Sequence, residues 1–237
     1  MENLKLFSAI FFILTLLLAI WMFRSASGKS PKVFPAILIW ILLQGILGVA
    51  GFYQHTQRIP PPVLLLLIPP VLFILISFVT EKGRHFIDLL NPGMLTILHI
   101  VRIPVEIILY TLFLEKQVPV IMTFAGGNYD IISGLTAPVV YYFGFVKKSM
   151  SRGLLIGWNI ICLGLLMNIV VRAILSAPSP FQQIALSQPN IAILHFPYIW
   201  LPSFIVPLVL FSHLINIRYL IRTMPYQKRT VPTPEIL

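Results

Sequence analysis

MLTILHIVRIPVEIILYTLFLE, residues 94–115, is apolar enough to lie in lipid yet carries His99, Arg102, Glu106 and Tyr110. At about 100° per residue, Glu106 falls within about 20° of His99, Tyr110 about 20° to the other side and Arg102 about 60° away. Thr96 shares that side. The stretch therefore predicts a greasy helix with one polar stripe. Pro104 lies on the far face, where it removes a donor and frees the carbonyl of Ile100, so a kink is expected near mid-helix. An ionisable residue at the centre of a membrane helix costs about 2.5–3.5 kcal/mol on insertion scales. Such residues face a bundle interior or a wet cavity and mark candidate sites.

The rest of the chain agrees with a membrane setting. Of 237 residues, 58% are hydrophobic and only 10% charged, with a mean hydropathy of +0.92. Soluble domains carry about 25% charged residues. Seven apolar segments approach the roughly 20 residues that a hydrocarbon core requires: 4–23, 34–53, 62–80, 93–114, 128–146, 153–176 and 196–221. The expected fold is all-α, a single seven-helix transmembrane domain over residues 1–224 followed by a disordered cytoplasmic tail, 225–237. The first segment is followed by a passable cleavage site, Ser25-Ala26-Ser27. Its length and its basic flank read instead as a retained helix.

Lysine and arginine give the orientation. Arg24, Lys29, Lys32, Lys82, Arg84, Lys147, Lys148, Arg152, Arg218, Arg222, Lys228 and Arg229 fall on one side, twelve against Lys5, Arg58 and Lys116 on the other. The N-terminus is expected outside and the C-terminus in the cytoplasm, with a bacterial inner membrane as the working location. The net charge of +10 follows from these flanks and is matched by anionic lipid; no nucleic-acid partner is implied. With Cys162 alone, no intrachain disulfide can form and the redox compartment is not encoded.

Further polar residues gather towards the outer side. Gly126-Gly127-Asn128-Tyr129-Asp130 opens the fifth segment, where Asn128 suits an N-cap and Asp130 the positive end of a helix dipole. In the sixth, Asn168 and Arg172 are four apart and share a face with Ser176. Arg172 is expected at the level of Asp130, as its ion-pair partner or snorkelling to the headgroups. Glu106 and Asp130 balance Arg102 and Arg172 in charge, as a low-dielectric interior requires. The eight residues His99, Arg102, Glu106, Tyr110, Asn128, Asp130, Asn168 and Arg172 form the candidate ligand site. The loops over 115–127 and 177–195 would roof it, unless the second is an interfacial stretch.

The expected function is binding or translocation of a small polar or anionic solute, or of a lipid headgroup, with Arg102 and Arg172 as the positive groups. The alternatives are an embedded enzyme acting on a lipid-like substrate and a structural subunit of a larger complex. His99 and His213 fall at similar depth and could ligate a haem or metal. No second histidine pair or metal-ligand motif supports this, so no cofactor is expected, and His99 is read as hydrogen-bonded within the stripe. Proline at 197, 202 and 207 reads as kinks, or as an opened helix offering carbonyls to a ligand. Seven spans with an outer N-terminus resemble retinal proteins in outline. That resemblance stops at the last segment, FPYIWLPSFIVPLVLFSHLINIRYLI, which has no lysine for a Schiff base.

Overall fold

The computed structural model describes residues 2–28 and 33–222. The tail expected over 225–237 lies outside the described residues. Within them the chain is all-helical, with no strand. Nine α-helices are described: α1 (Glu2–Ala26), α2 (Val33–Val49), α3 (Leu64–Val79), α4 (Glu81–Asp88), α5 (Pro92–Ile97), α6 (Arg102–Leu114), α7 (Ile131–Tyr141), α8 (Arg152–Ser176) and α9 (Val206–Arg222). Four continuous helical stretches, Leu4–Ala26, Pro92–Leu114, Arg152–Ser176 and Leu201–Arg222, are long and apolar enough to cross a membrane. Counting α3 with α4, which bends away by 91°, brings this to five. The second and fifth apolar segments are helical but shorter.

The 93–114 segment is the hub. Asn91 caps α5 by accepting the Met94 N–H at 3.0 Å, and Pro92 occupies the first turn, where no donor is needed. Between α5 and α6 the chain tightens into a 3₁₀ turn over Leu98–Val101. That turn contains Ile100, whose carbonyl Pro104 leaves without its usual donor, while the Arg102 N–H closes the turn on the His99 carbonyl. The hub packs against α1, α7 and α9. At Gly134 of α7 an added Cβ would lie 2.9 Å from Ile103 Cγ1 and 3.2 Å from the Ile103 nitrogen, so glycine lets α7 approach the hub closely.

The last helix opens with a π-turn, Leu201–Ile205, which contains Pro202 and is followed by Pro207. Pro207 leaves the Ser203 carbonyl without its helical donor, and Trp40 of α2 donates to it through Nε1 at 2.9 Å. Trp200 returns the contact, donating to the Ile41 carbonyl at 2.9 Å. The proline-freed carbonyl therefore docks α2 and is not left to a ligand.

The distribution of polarity is inverted relative to a soluble domain. Leu17, Trp21, Ile39, Ile46, Val79 and Ile161 are exposed, while Thr96, His99, Arg102, Glu106, Asn128, His213 and Asn216 are buried. At the basic end, Asp88 closes α4 onto α9 through Arg222 at 2.7 Å and Arg218 at 3.3 Å. Slight burial pushes its carboxyl up, but the hydrogen bonds and charges of Arg218 and Arg222 outweigh this and hold it below the usual carboxylate range. A depressed folded-state value means stabilisation that is present above the unfolded value, about 3.9, and lost as pH falls through the folded one. Asp88→Asn should lower the thermal midpoint at neutral pH, and its difference from wild type should shrink as pH falls below about 4. Melting curves across that range check it.

Candidate functional site

The buried charges converge where the 3₁₀ turn, the start of α7 and the middle of α9 meet. Arg102 Nη1 donates to Asp130 Oδ1 at 2.7 Å, and both side chains are buried. Arg102 Nη2 donates to His213 Nε2 at 3.0 Å. Because arginine only donates, Nε2 must be the accepting nitrogen, which leaves the ring proton on Nδ1. Nδ1 then donates to Asn159 Oδ1 at 2.9 Å, and Asn159 Nδ2 donates to the Leu155 carbonyl at 2.8 Å. His99 stacks on His213 with ring centroids 3.8 Å apart, and Trp158 meets His99 edge-on at 5.6 Å. Trp158 Nε1 donates to Thr136 at 2.9 Å. This network ties together four of the helical segments.

Two readings are corrected here. Asp130 pairs with Arg102, not with Arg172. Arg172 reaches no carboxylate among the described residues. Its Nε donates to Asn168 Oδ1 at 3.1 Å, and its Nη1 to the carbonyls of Ile121 at 3.0 Å and Gly126 at 2.8 Å. It sits over the loop before α7 and fixes it in place. His99, expected to hydrogen-bond within the stripe, has no hydrogen-bond partner within the protein at either ring nitrogen. Stacking against His213 holds it instead.

Asn128 is not the expected N-cap; Asp130 takes that position, at the start of α7 where the dipole was expected to favour it. The α-helix starts at Ile131, and the Asp130 side chain makes no capping bond. Asn128 is fully buried; its Oδ1 accepts the Asp130 N–H at 3.1 Å, and its Nδ2 donates to the Met122 carbonyl at 3.0 Å and to Glu106 Oε1. The tightness of the loop depends on Gly126, where an added Cβ would fall 2.0 Å from the Val120 carbonyl oxygen. Tyr110 stacks on Phe124 at 4.9 Å and braces the same loop.

Glu106, like His99 and the Arg102 Nε, is left with an unmet polar atom. Its Oε1 is held by Asn128, while Oε2 is buried with no hydrogen-bond partner in the protein. Glu106 and Asp130 both line a cleft of about 100 Å³ whose other walls are almost wholly apolar, among them Val105, Leu109, Leu166, Ile169 and Val206. Val63, Leu64 and Leu67 of α3 form one side, and Val170, Ala173 and Ile174 of α8 the other. Met122 reaches it from the 115–127 loop, and Ser179, Phe181 and Ile193 from the 177–195 loop. The two loops are stapled: Gln188 Nε2 donates to the Val118 carbonyl at 2.6 Å, and the Ile191 and Ala192 N–H groups bond the Gln117 carbonyl. Ile174 and Phe181 are exposed at the mouth.

The positive charge expected to face a ligand is already engaged. Arg102 is bound by Asp130 and His213, Arg172 by carbonyls, and the ionisable groups lining the cleft are the carboxylates of Glu106 and Asp130. Sequence reasoning missed Asn159, Trp158 and Thr136. An asparagine seven residues into an apolar helix was the available signal for the first; the other two gain their roles only from tertiary contact.

The family model described as Domain of unknown function (DUF8737) matches residues 59–221. That range spans α3 to α9 and contains every residue of the network and of the cleft. No curated protein and no solved structure matches the chain.

A buried ion pair that loses one partner leaves an uncompensated charge, at a cost of about 3–5 kcal/mol, whereas replacing both by apolar groups can be near neutral. Arg102→Met and Asp130→Leu should each destabilise the protein by roughly that amount, and the double variant by less than either alone. A double-mutant cycle of unfolding in detergent measures the difference.

Proposed function

We propose that this chain, which belongs to the DUF8737 family, is a seven-span integral membrane protein with an outer N-terminus, and that it takes up an amphiphilic ligand in the cleft between α3 and α8. The observation that carries the ligand reading is Glu106, which lines the cavity and whose Oε2 is buried without a protein partner. Buried polar groups are ordinarily satisfied, and an exception marks a site.

Seven crossings fit the seven helical segments. The three shorter ones are accommodated by local thinning and by flanking residues that reach to the interface. The twelve-to-three split of basic residues supports an outer N-terminus. On that orientation the cleft lies in the outer half, beneath the stapled loops. At about 100 Å³ it is smaller than the roughly 300–1,000 Å³ of pockets that enclose a whole small molecule. It can hold a head group and the first carbons of a chain, with the remainder left between Ile174 and Phe181 in the bilayer. Arg102 and Arg172 then act as positioning residues. Arg102 sets Asp130, and Arg172 sets the loop that presents Asn128 to Glu106.

Two measurements test this reading. In a Cys162→Ser background, Gln183→Cys should react with an impermeant maleimide from outside intact cells and Ser149→Cys should not; the reverse pattern would overturn the orientation. Ile174→Trp, which fills the mouth, should lower the lipid-like material co-purifying with the protein, as read by mass spectrometry of extracts, without changing its melting temperature.

A further inference from the structure

We infer that the cleft selects an amphiphile with a single protonated amine as its head group. The inference rests on the ligand-site reading above and concerns what the site takes. Glu106 and Asp130 are among the residues lining the cleft, and the cation beside them, Arg102, is bonded to Asp130 and His213. With Glu106 ionised, this group of three carries one negative charge that no cation among the described residues pairs with. Asn128 holds Oε1, which leaves Oε2 as a buried acceptor without a protein partner on a residue that lines the cleft.

An ammonium group supplies what is missing: one positive charge and three donors with no acceptor. A charge-assisted bond to Oε2 is the stronger kind, and the dry walls strengthen it. An anionic head would face two carboxylates. A phosphate would have to be desolvated against leucine and valine, because Arg172 is committed to Asn168, Ile121 and Gly126. A hydroxyl could donate to Oε2 but would leave the charge unmatched. The small volume excludes a bulky head, and the exposed Ile174 and Phe181 at the mouth place the alkyl chain in lipid.

The test uses the full chain in phosphatidylcholine nanodiscs, with radiolabelled dodecylamine, dodecanol and dodecanoate, each read as binding in excess over protein-free discs. Dodecylamine should bind saturably, one per chain, and dodecanoate should not compete. Glu106→Gln preserves shape and the bond from Asn128 but removes the charge. It should weaken amine binding by roughly 10- to 100-fold, the worth of one charge-assisted hydrogen bond, and leave dodecanol unchanged. The wild-type preference for amine over carboxylate needs no variant, so it decides the matter even if Glu106→Gln folds poorly. Equal binding of all three probes, blocked by Ile174→Trp, would overturn the amine assignment and keep the cleft as a ligand site. Amine binding that survives Glu106→Gln would do the same. No saturable binding of any probe would overturn both.

Discussion

A guanidinium buried in the middle of an apolar bundle must have its charge met by groups that stay in place, and the surroundings of Arg102 are arranged to meet it. Asp130 supplies the opposite charge, and His213 supplies a neutral acceptor whose tautomer Asn159 holds. These partners come from the start of α7, from α9 and from α8. Satisfying one side chain therefore sets the relation of three segments to the hub. A buried pair is weak evidence for net stability, since desolvation offsets much of its attraction. Its value here is positional: a helix shifted by a turn would leave an unmatched charge in a medium that cannot solvate it.

The same logic works at a lower energy in the loops over 115–127 and 177–195. Backbone carbonyls at the end of a 3₁₀ turn have no ladder to join, and Arg172 collects two of them. Gln117 and Gln188 then bind the second loop to the first. The loop before α7 is thereby stiff enough to present Asn128 to Glu106 in a defined direction. Loops without regular structure usually move; these are held by side chains reaching up from the bundle and across from each other. The cleft beneath them is a consequence of that bracing, since α3 and α8 both pack on α9 or its π-turn and their outer ends flank the space left under the roof.

Much of this was legible in one stretch of sequence. Helical periodicity put Arg102 and Glu106 on one side of span four, and both side chains are buried there, with the break located in the turn that Pro104 disturbs. Matching depth for His99 and His213 was a weak signal, and the rings stack. The partner of Asp130 was not legible. Two arginines at suitable depth were available, and the choice depends on α7 packing against the hub while the outer end of α8 passes over the preceding loop. A count of charged side chains also cannot see backbone acceptors, and these are where Arg172 goes. Asn128 was misread because its capping chemistry is local and its actual partners, Glu106 and Met122, are tertiary.

The unequal treatment of the two carboxylates is what separates a packing device from a site. Asp130 has a cation at 2.7 Å, and with it the demand of the interior for neutrality is met. Glu106 adds a further acid that this balance does not need. If register were its only task, glutamine would accept the bond from Asn128 equally well and carry no charge into the bundle. A leucine there would avoid the desolvation entirely. Leaving Oε2 without a protein partner costs on the order of 1–3 kcal/mol or more, a large fraction of the stability of an ordinary domain. Glu106 is also the residue that belongs both to the network, through Asn128, and to the lining of the cleft. That unmet acceptor, on a residue lining the cleft, is the feature from which the ligand-site proposal starts.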